Sequence, residues 1–548
     1  MNKTTTNQPS SLLQPQSDPE VASASTGNFG PLRLKPRTRL YLYLLLLVIG
    51  FTGLIVLPPV GKIGAISLLI GATASLLPLE TLLLVTLALI PLHGAMMLFV
   101  FDLNPASDLR ALRVAQAWKE LLVAAIIGRI FWQRWREYGS WQKLIAALKP
   151  GPDKKLFNFL DLAVLFFIAI NLFFLVIVPT PFTLYTRLQS VRYQIFFLTL
   201  YLVGRLILPS VRLKSRLIGV CLWAGGVTAA GAIGERFLSL EQFSRDLRAA
   251  DYFTALFGAG AFAKDIKTDL PAFFTNSCGF QRSGSFMLAP LDVAHQFLLV
   301  IVVGLVTLVS YYQYKAAKVA NWRTLGLLAL VVLMGLGLAL AYSRAAIVLI
   351  LFELMLVSFL LARGKWKFIL PPAILFTALG LLVLSLNLGG INWRNCVADT
   401  ISGRESSINE HRIALDESIR ATIFNPFGFG VASSGNYVSG NSDYSGIGGE
   451  SAYAITSVQL GILGLVGLVG LVFGAILFWF FYLREPSYPD KSVAVIGLVY
   501  FSAMAILMLS TQPWVFGFAT WMAWLLTGLS VSRSLKLSQP ETQAITEE

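Results

Sequence analysis

Charge is what this 548-residue chain has least of. Asp, Glu, Lys and Arg together make up 13 % of it, against about 25 % in a soluble globular protein. Hydrophobic residues make up 56 %. A water-facing surface cannot be built from that composition, which excludes a soluble enzyme and equally a disordered protein. Cys is almost absent, with three residues, so there is no disulfide scaffold. His is as rare, also three. No His pair, no Cys cluster at ligand spacing and no Asp-x-Asp on the connecting loops offers a metal site. The net charge of +14 reads as cytoplasmic loops facing anionic lipid, not as nucleic-acid binding.

What the chain does have is long apolar runs. With about 20 apolar residues as the unit of a membrane span, spans are expected near 40–58, 62–78, 81–101, 114–133, 159–178, 193–210, 217–234, 290–312, 324–341, 345–362, 368–386, 455–482, 492–511 and 514–531. The fold class expected is an all-α polytopic membrane protein of about 14 helices (12 to 14), both termini cytoplasmic. Basic residues support the registry. Arg134, Arg136, Lys143 and Lys149, then Arg212, Lys214 and Arg216, then Lys315, Lys318 and Arg323, then Arg363, Lys365 and Lys367 fall on alternate, inner connections. Two spans fit less well: 62–78, and 114–133, whose Lys119 and Glu120 are costly in lipid unless paired or interfacial. Arg33, Lys35, Arg37 and Arg39 precede a full-length apolar run with no small-residue cleavage site, so the first run reads as a retained span and not a signal peptide.

The organisation expected is a disordered cytoplasmic tail at 1–38, helices over 39–234, an outer loop at 235–289 and helices over 290–386. A large periplasmic loop follows at 387–454, then C-terminal helices over 455–531 and a cytoplasmic tail at 532–548. The two long outer loops break a pattern of short connections, and long loops in a compact protein are functional or disordered.

Three constellations lie on the outer side. Tyr342-Ser343-Arg344 joins two spans by almost no loop. Arg344 is either a snorkelling interfacial residue or an anion-binding guanidinium on a rigid helical hairpin. The second is Arg404, then His411-Arg412, then an amphipathic stretch with apolar positions 413, 415, 419 and 423 at rough helical spacing, stopped by Pro426, Gly428 and Gly430. A surface helix with scattered charges explains it as well. The third is Glu450-Ser451, nine residues, then Gly461-Ile462-Leu463-Gly464. A carboxylate at the mouth of a helix is favoured by the helix dipole, a structural reading that stands beside a functional one.

In order and spacing these pieces resemble the O-antigen ligase and O-antigen polymerase superfamily, over roughly 280–480. The Ser343-Arg344 hairpin, Arg404 before an amphipathic helix, the Pro426-x-Gly428-x-Gly430 stretch and the closing motif are similar to that family's. Glu450 stands where the family has His. Gln281-Arg282-Ser283-Gly284-Ser285-Phe286 resembles its Gly-x-Phe-x-x-Pro segment.

The resemblance implies a metal-independent membrane glycosyltransferase of the bacterial inner membrane, without a cofactor. Its donor would be a polyprenyl-diphosphate-linked oligosaccharide and its acceptor a glycan, with membrane lipids around it and room for a chain-length regulator or flippase as partner. Glu450 is then the catalytic base, and Arg404 and Arg344 are the catalytic cations for the diphosphate. Arg282, Arg412 and His411 would bind substrate. Glu450 in the motif tilts the reading toward a polymerase over a ligase; a transporter of the same superfamily, of the bicarbonate type, is the further alternative. Arg344, Arg404 and Glu450 are expected at one outer-face cavity.

Smaller expectations complete the reading. His93 and His295, inside spans, are expected as packed or hydrogen-bonding residues. Glu353 and Arg205, also inside spans, are as readily packing pairs as functional groups. Cys221 is expected as a buried thiol. Cys278 and Cys396 are either two separate thiols or a bridge between the outer loops.

Overall fold

The computed structural model describes residues 77–102, 116–140, 155–207, 211–237, 246–257, 270–275, 281–314, 322–361, 406–435, 450–486, 490–513 and 517–537, with residues 45, 48 and 242. The termini at 1–38 and 538–548, most of the first expected span, all of the second (62–78) but its last two residues, and all of the eleventh (368–386) lie outside them. So do Arg404, Cys278 and Cys396.

Among the described residues the fold is all helix, apart from one isolated bridge between Thr275 and Gln281. The helices are α1 (Leu79–Leu89), α2 (His93–Asp102), α3 (Trp118–Tyr138), α4 (Lys155–Val176), α5 (Leu184–Leu206), α6 (Val211–Glu235) and α7 (Ala249–Phe257). There follow α8 (Pro290–Tyr314), α9 (Trp322–Ala341), α10 (Arg344–Leu361), α11 (Ser406–Phe424), α12 (Ala452–Arg484), α13 (Lys491–Leu507) and α14 (Phe518–Leu537). Seven of the described helices or helix pairs are long and apolar enough to cross a membrane: Leu79–Asp102, Phe159–Val176, Leu213–Glu235, Pro290–Ser310, Trp322–Ala341, Arg344–Leu361 and Ala452–Arg484. α13 and α14 are apolar but shorter. The figure of 14 spans is therefore not reached among the described residues.

Two expected spans differ in detail. The run at 81–101 is two helices joined by a 3-10 turn at Ile90–Leu92, because Pro91 cannot donate a helical hydrogen bond. The run at 455–482 is longer, begins at Ala452 and is interrupted at Gly461.

α8 is the most enclosed spanning helix, packed by α6, α9, α10, α13 and α14. Small residues let backbones close in, as is usual between membrane helices. α5 and α14 touch where Gly204 faces the Leu525 carbonyl and Gly528 faces the Tyr201 carbonyl; a Cβ at either would collide with backbone. Ionisable groups among the helices are mostly paired. Arg205 Nη2 donates to Asp161 Oδ2 at 2.8 Å, and Lys214 Nζ donates to Asp490 Oδ2 at 2.8 Å. Arg192 pairs with Glu120, which answers the cost of Glu120 in the third helix. His93 Nδ1 accepts from Trp118 Nε1 at 3.0 Å, and Cys221 is a buried free thiol. Glu353 differs from Arg205: it is fully buried, and neither carboxyl oxygen has a hydrogen-bond partner among the described residues.

The interruption of α12 organises one end of the bundle. Gly461 has φ 65 and ψ −164, which releases helical carbonyls and an amide in apolar surroundings. Such groups must be satisfied by protein. The Pro426–Gly430 strip does so. Phe429 N donates to Val458 O at 2.8 Å and Gly430 N to Gln459 O at 2.9 Å, while Ile462 N donates to Pro426 O at 2.9 Å. Glycine is needed at 461 and 428 because a Cβ on Gly461 would overlap the Pro426 carbonyl, and one on Gly428 the Gly461 amide. The Gln459 side chain ties in the neighbours. Its Oε1 accepts from Ser190 Oγ at 3.0 Å and Gln194 Nε2 at 2.5 Å, and its Nε2 donates to Ser434 O at 2.6 Å.

Gly461→Ala combines a left-handed backbone with a steric clash, and should destabilise the folded protein by about 1–3 kcal/mol. Gly470→Ala, on the same helix with open space around it, should leave stability unchanged. Thermal unfolding of both variants in detergent, followed by monodispersity, checks this.

Candidate functional site

The site is built at the end of the bundle where α6 ends, α8, α10 and α12 begin, and the 281–287 turn crosses over. Ser343 leads into α10; its Oγ accepts from Ala346 N at 3.4 Å. Tyr342 before it takes a left-handed backbone, φ 45, so α9 reverses into α10 within three residues and delivers Arg344 at the first turn of the second helix. Two more non-glycine residues in that conformation, Ser285 (φ 48) and Leu288 (φ 58), shape the adjoining turn. Backbone strain of this kind costs of order 1–3 kcal/mol and clusters at functional sites.

Arg282 is fastened to this hairpin. Ser283 N donates to Leu340 O at 2.9 Å, and Arg282 N to Phe274 O at 2.7 Å. The guanidinium itself donates from Nε to Ala341 O and from Nη1 to Phe273 O, both at 3.2 Å. Two of its five N–H donors are thus spent on orientation. Burial, and next the charge of Arg344, pull the Arg282 pKa down to about 10, while Glu450 pulls it up. It remains protonated at neutral pH. Two guanidinium groups close enough to repel, held in a half-buried corner with a carboxylate in range, are the arrangement an oxyanion would neutralise.

Glu450 precedes α12, whose first turn is capped by Ser451: its Oγ accepts from Ala454 N at 3.4 Å and donates to Met508 O at 3.0 Å. Ala452 N donates to Met508 O at 3.0 Å, so the carboxylate is carried on a fixed corner of α12 and α13. Glu450 is exposed, and its Oε2 lies 3.6 Å from His411 Nδ1 on α11. The structure therefore brings together Arg282, Arg344, Glu450 and His411. Arg412 is exposed on α11, and Arg404 is outside the described residues. The expectation that Arg344, Arg404 and Glu450 share one cavity holds no geometry for Arg404; Arg344 and Glu450 are linked through Arg282. His295 is buried and contributes to the Arg282 surroundings.

One residue of the site escapes sequence reasoning. Glu235, the last residue of α6, is buried, and its Oε2 accepts from Ser283 Oγ at 2.5 Å and from Ser285 N at 2.7 Å. Ser285 Oγ in turn donates to Thr228 O at 2.9 Å. The carboxylate thus staples the turn that presents Arg282 to the end of α6. The only sequence signal was a charged residue at the end of an apolar run, which is also what a span boundary looks like. Glu235→Ala should destabilise by about 1–3 kcal/mol, the cost of unsatisfied buried donors. Glu235→Gln keeps an acceptor for both and should recover most of that. Paired thermal-unfolding measurements decide; equal losses for Ala and Gln would mean that the charge, not the acceptor, matters.

A family model described as O-antigen ligase matches residues 329–469. No curated protein matches the chain. The matched stretch contains Arg344, His411, Arg412, Glu450 and the Gly461–Gly464 segment, and leaves Arg282 and Glu235 on its N-terminal side. In general terms it supports a multi-pass membrane glycosyltransferase of the O-antigen ligase or polymerase type. Over residues 329–469, about a quarter of its length, the chain is similar to the O-antigen ligase family.

Proposed function

We propose that the protein polymerises a glycan carried on undecaprenyl diphosphate, at the periplasmic face of a bacterial inner membrane, with both termini in the cytoplasm. The observation that carries the reading is the meeting of Arg282, Arg344, Glu450 and His411 at one end of the bundle. In the transfer, the bond from the anomeric carbon to the diphosphate oxygen breaks. Its electron pair goes to the leaving lipid diphosphate, and an acceptor hydroxyl oxygen forms the new glycosidic bond. Arg344 and Arg282 stabilise the charge that develops on the leaving group; preorganised cations in a partly dry corner are effective there. Arg404, from the same loop as α11, is assigned to that group as a third cation.

Glu450 takes the acceptor proton. A sugar hydroxyl is a weak nucleophile and needs a base within hydrogen-bond reach. Exposure suits Glu450 to this task, since the acceptor is a bulky glycan arriving from water. His411, at ion-pair distance, orients the carboxylate and can receive its proton. Ligation to a lipid acceptor is the second reading, favoured by the similarity of residues 329–469 to the O-antigen ligase family. A chain-length regulator or flippase as partner belongs to the polymerase reading.

The test is the lipid-linked glycan profile of cells with and without the protein. Polymerase activity predicts collapse of a ladder to single units; intact chains stranded on the lipid carrier mean ligase. Arg344→Lys keeps the charge and loses the bidentate fork, and should lower transfer by about 10²-fold in a folded protein. Glu450→Gln should abolish transfer; wild-type turnover in that variant would remove Glu450 as the base.

A further inference from the structure

α11 presents its apolar residues outward. Its buried side is Ser418, fully enclosed, with Thr422 Oγ1 donating to Ser457 Oγ at 2.9 Å on α12. Leu415, Ile419 and Ile423 are 42 %, 50 % and 69 % exposed. These three are spaced i, i+4, i+8 and form one ridge on the helix surface. One step further up the same ridge is His411, the residue that faces Glu450. Past its lower end, Phe424 and Phe427 are exposed as well. The charges of α11 lie beside the ridge, where Asp416 and Arg420 pair with each other at 3.0 Å. From His411 to Ile423 the ridge runs roughly 18 Å at 1.5 Å per residue. It does not float. Its far end is anchored by the Pro426–Gly430 strip in the interruption of α12, and its near end abuts the Glu450 corner.

We propose that this ridge carries the isoprenoid tail of a polyprenyl-diphosphate donor away from the charged site. The proposal rests on the glycosyl-transfer reading, and adds which surface recognises the lipid. A donor whose diphosphate sits against Arg282 and Arg344 has an apolar tail that must leave the same corner without entering water. The ridge supplies an apolar surface that begins at that corner. Bulk phospholipid lying against an exposed helix is the competing occupant, and the experiment separates the two.

The full-length protein is reconstituted in phospholipid vesicles and assayed with two donors carrying the same glycan diphosphate, one on a long polyprenyl chain and one on a short geranyl chain. The double variant I419Q/I423Q removes apolar surface from exposed positions without touching the buried side. The ratio of KM for the long donor to KM for the short donor is expected to rise about tenfold, with kcat for the long donor retained. An unchanged ratio overturns the proposal. A second measurement is independent of turnover. A diazirine-bearing polyprenyl diphosphate is crosslinked to the wild-type protein and the adduct is mapped by mass spectrometry. Adducts on Leu415, Ile419 or Ile423 that unlabelled polyprenyl diphosphate displaces and excess phospholipid does not are expected. Equal displacement by phospholipid, or no adduct on α11, overturns it. If wild type turns over neither donor, the glycosyl-transfer reading fails while the crosslink still decides the ridge.

Discussion

A helix that breaks in apolar surroundings leaves backbone groups that water cannot reach, and each must find a partner in the protein. At Gly461 that requirement dictates much of what surrounds it. The freed carbonyls of Val458 and Gln459 and the amide of Ile462 are met by the Pro426–Gly430 strip, and the strip in turn fixes the end of α11. Once α11 is pinned at that end and through Thr422 to Ser457, His411 at its other end comes beside Glu450. The Gln459 side chain extends the same satisfaction to α5 and to Ser434. Glycine at 428 and 461 is therefore less a flexible element than a demand of close backbone approach.

Electrostatics divides the molecule in a consistent way. Through the bundle, most charges meet their opposites, Glu353 being an exception: Arg205 with Asp161, Lys214 with Asp490, Arg192 with Glu120. Such pairs offset the cost of placing ionised groups among apolar helices. At the 281–287 turn the pattern reverses. Arg282 is held near Arg344 and oriented by backbone carbonyls, and burial first, then the Arg344 charge, lowers its pKa. Folding alone gains little from two adjacent guanidinium groups. An anionic substrate would gain both charges without waiting for side chains to reorganise. The strained backbone at Tyr342, Ser285 and Leu288 lies at the same corner, where a geometry useful for binding is retained against its local cost.

Glu235 shows how such a corner is maintained. An acidic residue at the end of α6 accepts from a serine hydroxyl and a backbone amide of the turn, so the position of Arg282 depends on a helix that ends 47 residues earlier in the chain. The hairpin side is just as local in appearance and as remote in effect: Leu340 and Ala341 carbonyls hold Ser283 and Arg282. Neither support resembles a motif, because each is made of ordinary residues at helix ends.

Composition and apolar runs were enough to determine a helical membrane protein, because the lipid requirement for about 20 apolar residues per span is written in one dimension. The Ser343-Arg344 hairpin, the Pro426-Gly428-Gly430 stretch and the Glu450-to-Gly461 spacing were legible for the same reason: each is a short local pattern. The apolar positions 413, 415, 419 and 423 were legible as helical, yet their direction was not. Periodicity reports that a face exists; only packing against α12 decided that Ser418 turns inward and the apolar ridge outward. The interruption at Gly461 was hidden inside an apolar run that reads as one span, since a glycine among apolar residues also serves simple helix packing. Tertiary structure alone decided that Arg205 is paired, that Glu353 has no hydrogen-bond partner among the described residues, and that Arg282 lies close enough to Arg344 to feel its charge. Those outcomes depend on which helices become neighbours, and neighbourhood between residues 44 or more apart is set by three-dimensional packing, which no local pattern encodes.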